Sequence, residues 1–163
     1  MPGGTLTTEQ VLTVLARSPH RIAEITADAT PAQLHTAPDR DEWSANDVLA
    51  HLRACADVWG ECIATIIAED LPTLRAVNPR TWIRKTHYLE LQFRPSLRAF
   101  AAQRADLMAL LESLPPDGRS RAATVTGAGR VLQHTVLSYA QRLARHERQH
   151  VKQIGGMLHT MHR

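Results

Sequence analysis

Residues 145–150 read Arg-His-Glu-Arg-Gln-His, which sets His146 and His150 four apart with Glu147 directly after the first. On a helix, residues at i and i+4 project from one face. Two imidazoles so placed can grip one divalent ion, and a carboxylate beside them can take a proton from bound water. Read as H-E-x-x-H, the stretch is a zinc-peptidase signature; read as Glu147-x-x-His150, it is half of a di-iron bundle motif. Both fail on the rest of the chain. The extended peptidase pattern needs Gly and His three and six residues after the second histidine, where this chain has Gln153 and Gly156. No acidic residue follows Glu147, so a carboxylate ligand downstream is excluded as well. The di-iron site needs a second Glu-x-x-His, and the sequence has none.

What remains is a pair of histidines inside an apolar stripe: Leu132, Val136, Tyr139, Leu143, His146, His150, Ile154, Met157. They stand where leucines belong. An imidazole facing a core must find a hydrogen-bond or metal partner, because burying it unpaired costs on the order of 1–3 kcal/mol. Metal binding is the reading that explains two of them together, and a third ligand must then come from upstream. His51 is the natural candidate, on a helix face that continues through Cys55, Val58 and Cys62. Cys55 and His87 are the alternatives, although a small buried thiol is the ordinary fate of Cys55. His20, His35, His159 and His162 lie near chain breaks or in the C-terminal tail and read as surface residues. His134 lies two to three turns before His146, too far to join it. Glu147 is a candidate general base, with an arginine partner on an outer helix face as its more ordinary role.

The elements that must position these groups are helical. Val11, Leu12, Leu15, Ile22 and Ile25 mark a first helix between about Thr7 and Asp28, which Pro19 should kink or split. Thr30 and Pro31 then open a short turn. Ser44 and Asp47 form a capping box for a second helix, with Trp43 and Val48 as its hydrophobic staple, running to about Asp70. Asp47 could instead orient His51 from one turn away; the capping role is favoured. A third helix carries Phe93, Leu97, Phe100, Leu107, Leu111 and Leu114 up to Pro115-Pro116. The fourth follows Gly127-Ala128-Gly129 and begins near Leu132. No strand with clear alternation is visible, so the expectation is an all-α four-helix bundle, one domain over residues 1–163, without a sheet. The connection 71–91 is too long to be inert, and should hold a short helix or lid anchored by Trp82, His87 and Tyr88.

Composition sets further bounds. The 163 residues are 44% hydrophobic and 21% charged, as in ordinary globular proteins. Cys55 and Cys62 sit two turns apart on one helix, about 10 Å, too far for a disulfide. Free thiols, and an N-terminus without a basic or apolar leader pattern, point to the cytoplasm. The longest apolar run is short and carries Glu61, so no membrane span is expected. A net charge of +3 is modest, and Arg142, Arg145, Gln149 and Lys152 read as a solvated helix face rather than a nucleic-acid site.

The motifs "WSANDVLAHL" and "HERQHVKQI", with looser agreement in "LARSPHRI" and "RADLMALLESL", make the chain resemble the DinB-like proteins, including the YfiT-type metal hydrolases. The likeness spans nearly the whole chain in the right order. It implies an up-down-down-up bundle and a divalent ion held by His51, His146 and His150. It further implies a homodimer, which exposed apolar helix surface also favours, and chemistry on a small molecule that uses a low-molecular-weight thiol. Imidazole donors suit Zn, Ni and Fe alike, and Mn is a further candidate. Three classes of function follow: a thiol-dependent transferase, a hydrolase that activates water, and a non-catalytic metal-binding stress protein.

Overall fold

The computed structural model describes residues 5–161; His162 lies outside them. Six helices and three short strands follow in the order α1 (Thr8–Ile25), α2 (Pro31–His35), α3 (Ala45–Ala68), β1 (Thr73–Arg75), α4 (Pro79–Trp82), α5 (Phe93–Glu112), β2 (Ala122–Thr126), β3 (Leu132–Thr135) and α6 (Val136–Met161). Four of the helices are long. α6 packs on α1 and α3, and α5 packs on the same two.

Local chemistry explains the starts. Thr7, Thr30 and Ser44 each cap a helix through a reciprocal box, with Gln10, Gln33 and Asp47 as the returning side chains. Ser44 Oγ accepts from Asp47 N at 3.1 Å while Asp47 Oδ2 accepts from Ser44 N at 3.0 Å. Asp47 is therefore a cap. Because α3 carries one of the site histidines, Ser44→Ala should lower folding stability by about 1 kcal/mol. Urea unfolding followed by far-UV circular dichroism checks this; an unchanged midpoint would show the cap to be idle.

The fold corrects one expectation about secondary structure. A three-stranded sheet is present, with β1 parallel to β2 and β2 antiparallel to β3. Its strands are three to five residues long, too short to show a period in sequence, although Ala123 and Val125 are buried on either side of the exposed Thr124. Gly127 and Gly129, both at positive φ, turn the chain between β2 and β3. Leu132 and His134 thus belong to β3, and the last helix starts at Val136.

Of the two outcomes expected at Pro19, splitting does not occur: α1 runs through it unbroken. Proline lacks the N–H that would bond the carbonyl four residues back. That carbonyl, on Leu15, is taken instead by Arg104 Nη1 from α5 at 2.8 Å. Arg104 in turn forks onto Glu147 of α6, with Nη1–Oε1 at 2.7 Å and Nη2 bonded to Oε2.

This pair belongs to a polar layer that divides the core in two. One apolar cluster gathers Leu15, Ile63, Ile66, Leu107, Leu111 and Leu143. The other gathers Ile22, Leu49, Leu52, Phe93, Phe100 and Ile154. Between them along α1, α5 and α6 lie Ser18, Arg104, His146 and Glu147, while His51 stands on α3 among residues of the second cluster.

The connection 71–91 folds back on α3 as a strap. Trp82 Nε1 and Tyr88 OH both donate to Asp57 Oδ2, at 3.0 and 2.6 Å, and Gln103 Nε2 donates to Oδ1 at 2.6 Å. Burial and this carboxylate push the Tyr88 hydroxyl up to about 12. Trp82 and Tyr88 are thus anchors. His87 is exposed beside Glu90 and is not one.

Candidate metal centre

His51 projects from α3 and His146 from α6, and the packing of these helices sets their Nε2 atoms 2.7 Å apart. The His150 ring stands one turn beyond His146, with centroids 4.5 Å from His146 and 5.1 Å from His51. The three rings therefore neighbour one another, but His150 is not part of the group whose donor atoms all fall within 4.8 Å of one another. His150 Nδ1 lies 2.7 Å from Gln153 Oε1. An amide oxygen only accepts, so in the neutral ring the proton sits on Nδ1 and Nε2 keeps its lone pair. Cys55, one turn after His51, puts Sγ 3.6 Å from His51 Nε2. Donor atoms of His51, Cys55 and His146 all lie within 4.8 Å of one another.

Two tryptophans wall the cluster. Trp43 lies 5.1 Å from the His51 ring and stacks toward His150 at 6.4 Å, while Trp59 meets His146 edge-on at 5.5 Å. A cleft of about 710 Å³ lies farther along α3, lined by Asp57, Val58, Glu61, Cys62, Trp82 and Gln103 among others. It holds none of the three histidines.

Burial sets the electrostatics. His51 is held down to about 4, first by burial, then by His146, His150 and Arg80. His146 is also held down to about 4, by burial, His150 and Arg80. Burial, with Glu147 adding, pushes the Cys55 thiol up to about 12. At neutral pH His51 and His146 are therefore neutral imidazoles beside a protonated Cys55 thiol. Their Nε2 atoms share a hydrogen bond when one ring carries its proton there, and both are free for a cation when the protons sit on Nδ1. That donor set suits a borderline divalent cation. A tetrahedral ion spans roughly 3.3 Å between two ring nitrogens and about 3.6 Å between sulfur and nitrogen. The Cys55–His51 separation already matches, and the two imidazoles need to part by roughly half an ångström.

A pH dependence follows for chelator-treated protein. The folded state holds fewer protons on His51 and His146 than the unfolded chain between the ordinary value of 6.5 and about 4. Stability is then full above pH 6.5 and is lost as pH falls through this window, by at most about 1.4 kcal/mol per pH unit for each ring and less for the half-exposed His146. Urea midpoints at pH 7, 6 and 5 should decline in that order, and the decline should flatten in the His51→Gln, His146→Gln double variant. A wild-type midpoint independent of pH would contradict the burial of neutral rings.

The other histidines fall elsewhere. His20 pairs with Glu24 at the surface, His35 Nε2 accepts from Phe93 N at 3.3 Å, and His159 is exposed. His134 stacks on Tyr139. Glu147 does pair with an arginine, but in the core and not on an outer face, with both oxygens held by Arg104. Arg104 itself was not singled out from sequence. The signal was there: it interrupts the stripe Phe93, Leu97, Phe100, Leu107, Leu111 at a position that should be apolar.

A family model for the DinB superfamily matches residues 15–154. The chain belongs to the DinB superfamily. No curated protein matches it. Among solved structures it is similar to YfiT from Bacillus subtilis, described as a probable metal-dependent hydrolase with an unusual four-helix bundle topology. That likeness has a TM-score of 0.80 at 18% identity and covers 99% of this chain and 93% of the other. At such identity it shows the shared fold: this family member is a mostly helical protein built on a four-helix bundle, with a small sheet added. No helix among the described residues is long and apolar enough to cross a membrane.

Proposed function

We propose that this DinB-superfamily protein is a metal-dependent enzyme. Its divalent ion is held by His51, His146 and His150, and it joins a low-molecular-weight thiol to an electrophilic small molecule. The observation that carries the reading is the 2.7 Å approach of Nε2 atoms from residues 95 apart in sequence, both on neutral, buried-side imidazoles. An ion bound there supplies a Lewis acid that deprotonates a coordinated thiol or water at neutral pH.

The chain's own residues do the rest. Helices α3 and α6 fix the rings, and Gln153 sets the His150 tautomer. Trp43 and Trp59 give the site apolar walls for the carbon frame of a substrate. Arg80 has no ion-pair partner among the described residues. Its charge reaches both His51 and His146, and it is one cation that would hold an anionic group; Arg142, over the Trp59 ring at 5.5 Å, is another. Glu147, committed to Arg104, is assigned to structure instead of to proton transfer.

A second reading has its own support. The similar YfiT structure is described as a hydrolase, and the same centre would then activate water. The test is to incubate metal-loaded protein with thiols and an alkylating electrophile, and separately with esters and amides. Metal-dependent loss of free thiol supports transfer. Turnover of an ester or amide without thiol supports hydrolysis. Neither, with stoichiometric metal bound, supports the non-catalytic class.

The up-down-down-up helix order, a cytoplasmic address and a homodimer belong to the same proposal. Leu71, Leu89 and Val131 are apolar side chains left exposed on the single chain. Sedimentation at micromolar concentration should give twice the 18.1 kDa chain mass; a monomer would end the dimer.

A further inference from the structure

The two helices that carry the histidines present their donors in the same way. α6 offers His146 and His150 at i and i+4, and α3 offers His51 and Cys55 at i and i+4. Each pair therefore lies one turn apart on a facing stripe, and the donor atoms that fall within 4.8 Å of one another are those of His51, Cys55 and His146. Cys55 is fully buried, and the hydrogen-bond-range neighbour of its sulfur is His51 Nε2 at 3.6 Å. That separation is the sulfur-to-nitrogen edge of a tetrahedral ion, about 3.6 Å for bonds of about 2.3 and 2.05 Å. A thiol placed merely to fill space has no need to point at a ring nitrogen.

We propose that Cys55 is a protein ligand of the bound ion, so that the centre is a mixed imidazole–thiolate set. This rests on the metal-binding reading above. Coordination exchanges the S–H bond for a sulfur–metal bond and releases one proton to solvent. The thiolate makes the site softer, which favours Zn over Mn. It also occupies a position that an external thiol would otherwise take, so turnover requires the ion to accept a fifth donor.

The experiment uses the full chain, stripped with chelator and titrated with Co(II). The expected result is one cobalt per chain, visible ligand-field bands, and an intense near-ultraviolet sulfur-to-cobalt charge-transfer band in wild type and in Cys62→Ser. Cys55→Ser should lose the near-ultraviolet band while keeping cobalt on its imidazoles. Wild type itself supplies a test that needs no variant to fold. If it binds one cobalt without the near-ultraviolet band, the Cys55 proposal is overturned while the histidine centre stands. If the band is lost in Cys62→Ser and kept in Cys55→Ser, the assignment is equally overturned. If wild type binds no cobalt, and no zinc by metal analysis, the metal-binding reading falls and takes this proposal with it.

Discussion

Replacing Arg104 with methionine should cost about 3–5 kcal/mol of folding stability, the usual cost of stranding one member of a buried ion pair. Arg104 and Glu147 are both almost wholly buried and are bonded through two parallel contacts. Removing the guanidinium leaves a carboxylate without counter-charge in the core. It also orphans the Leu15 carbonyl that Pro19 cannot serve. Glu147→Leu should be about as damaging, since it strands the guanidinium. The double change Arg104→Met, Glu147→Leu should recover most of the loss, because apolar replacements of similar volume avoid the desolvation penalty. Against a typical domain stability of roughly 5–15 kcal/mol, either single change removes a large share. Urea unfolding of the four proteins gives the coupling energy directly. Single variants within about 1 kcal/mol of wild type would mean that the pair does not hold the layer together.

The second large effect concerns the ion. A ligand that binds only the folded chain stabilises it by about 2.7 kcal/mol at a free concentration one hundred times its Kd. For a domain of this size, that should raise the unfolding temperature by roughly 5–10 °C. Chelator-treated wild type should therefore melt lower and recover when Zn or Ni is added back. His51→Ala and His146→Ala should show no such recovery, with helical content unchanged, because the two apolar clusters do not depend on the ion. A metal-induced rise of equal size in His51→Ala would move the site away from α3.

Much of this was legible in the chain, for reasons that are local. The Ser44–Asp47 box is written within four residues, so the start of α3 needed no tertiary information. The His146–His150 spacing is helical, so their shared face followed from one period. That His51 meets them could be inferred only by elimination and resemblance, since the approach spans 95 residues and depends on how α3 packs on α6. The strands were not legible, because β1 is three residues long and is ordered by pairing with β2, about fifty residues on. Glu147 was misplaced for a related reason. An acid between Arg145 and Arg148 looks solvated until Arg104 arrives from another helix to neutralise it. The polar layer is in this sense a property of the packing, marked in sequence only by wrong-type residues within apolar stripes: Arg104, Glu147 and His146.

The central claim is that these histidines form one metal site. Its most direct test is the metal content of wild type, His51→Ala, His146→Ala and His150→Ala. Each is stripped, reloaded with Zn, Ni, Fe or Mn and dialysed, with circular dichroism confirming the helices. The account predicts close to one ion per wild-type chain for at least one of these metals and a steep loss in each alanine variant. A wild type that retains no stoichiometric ion, or alanine variants that retain as much as wild type, would contradict it.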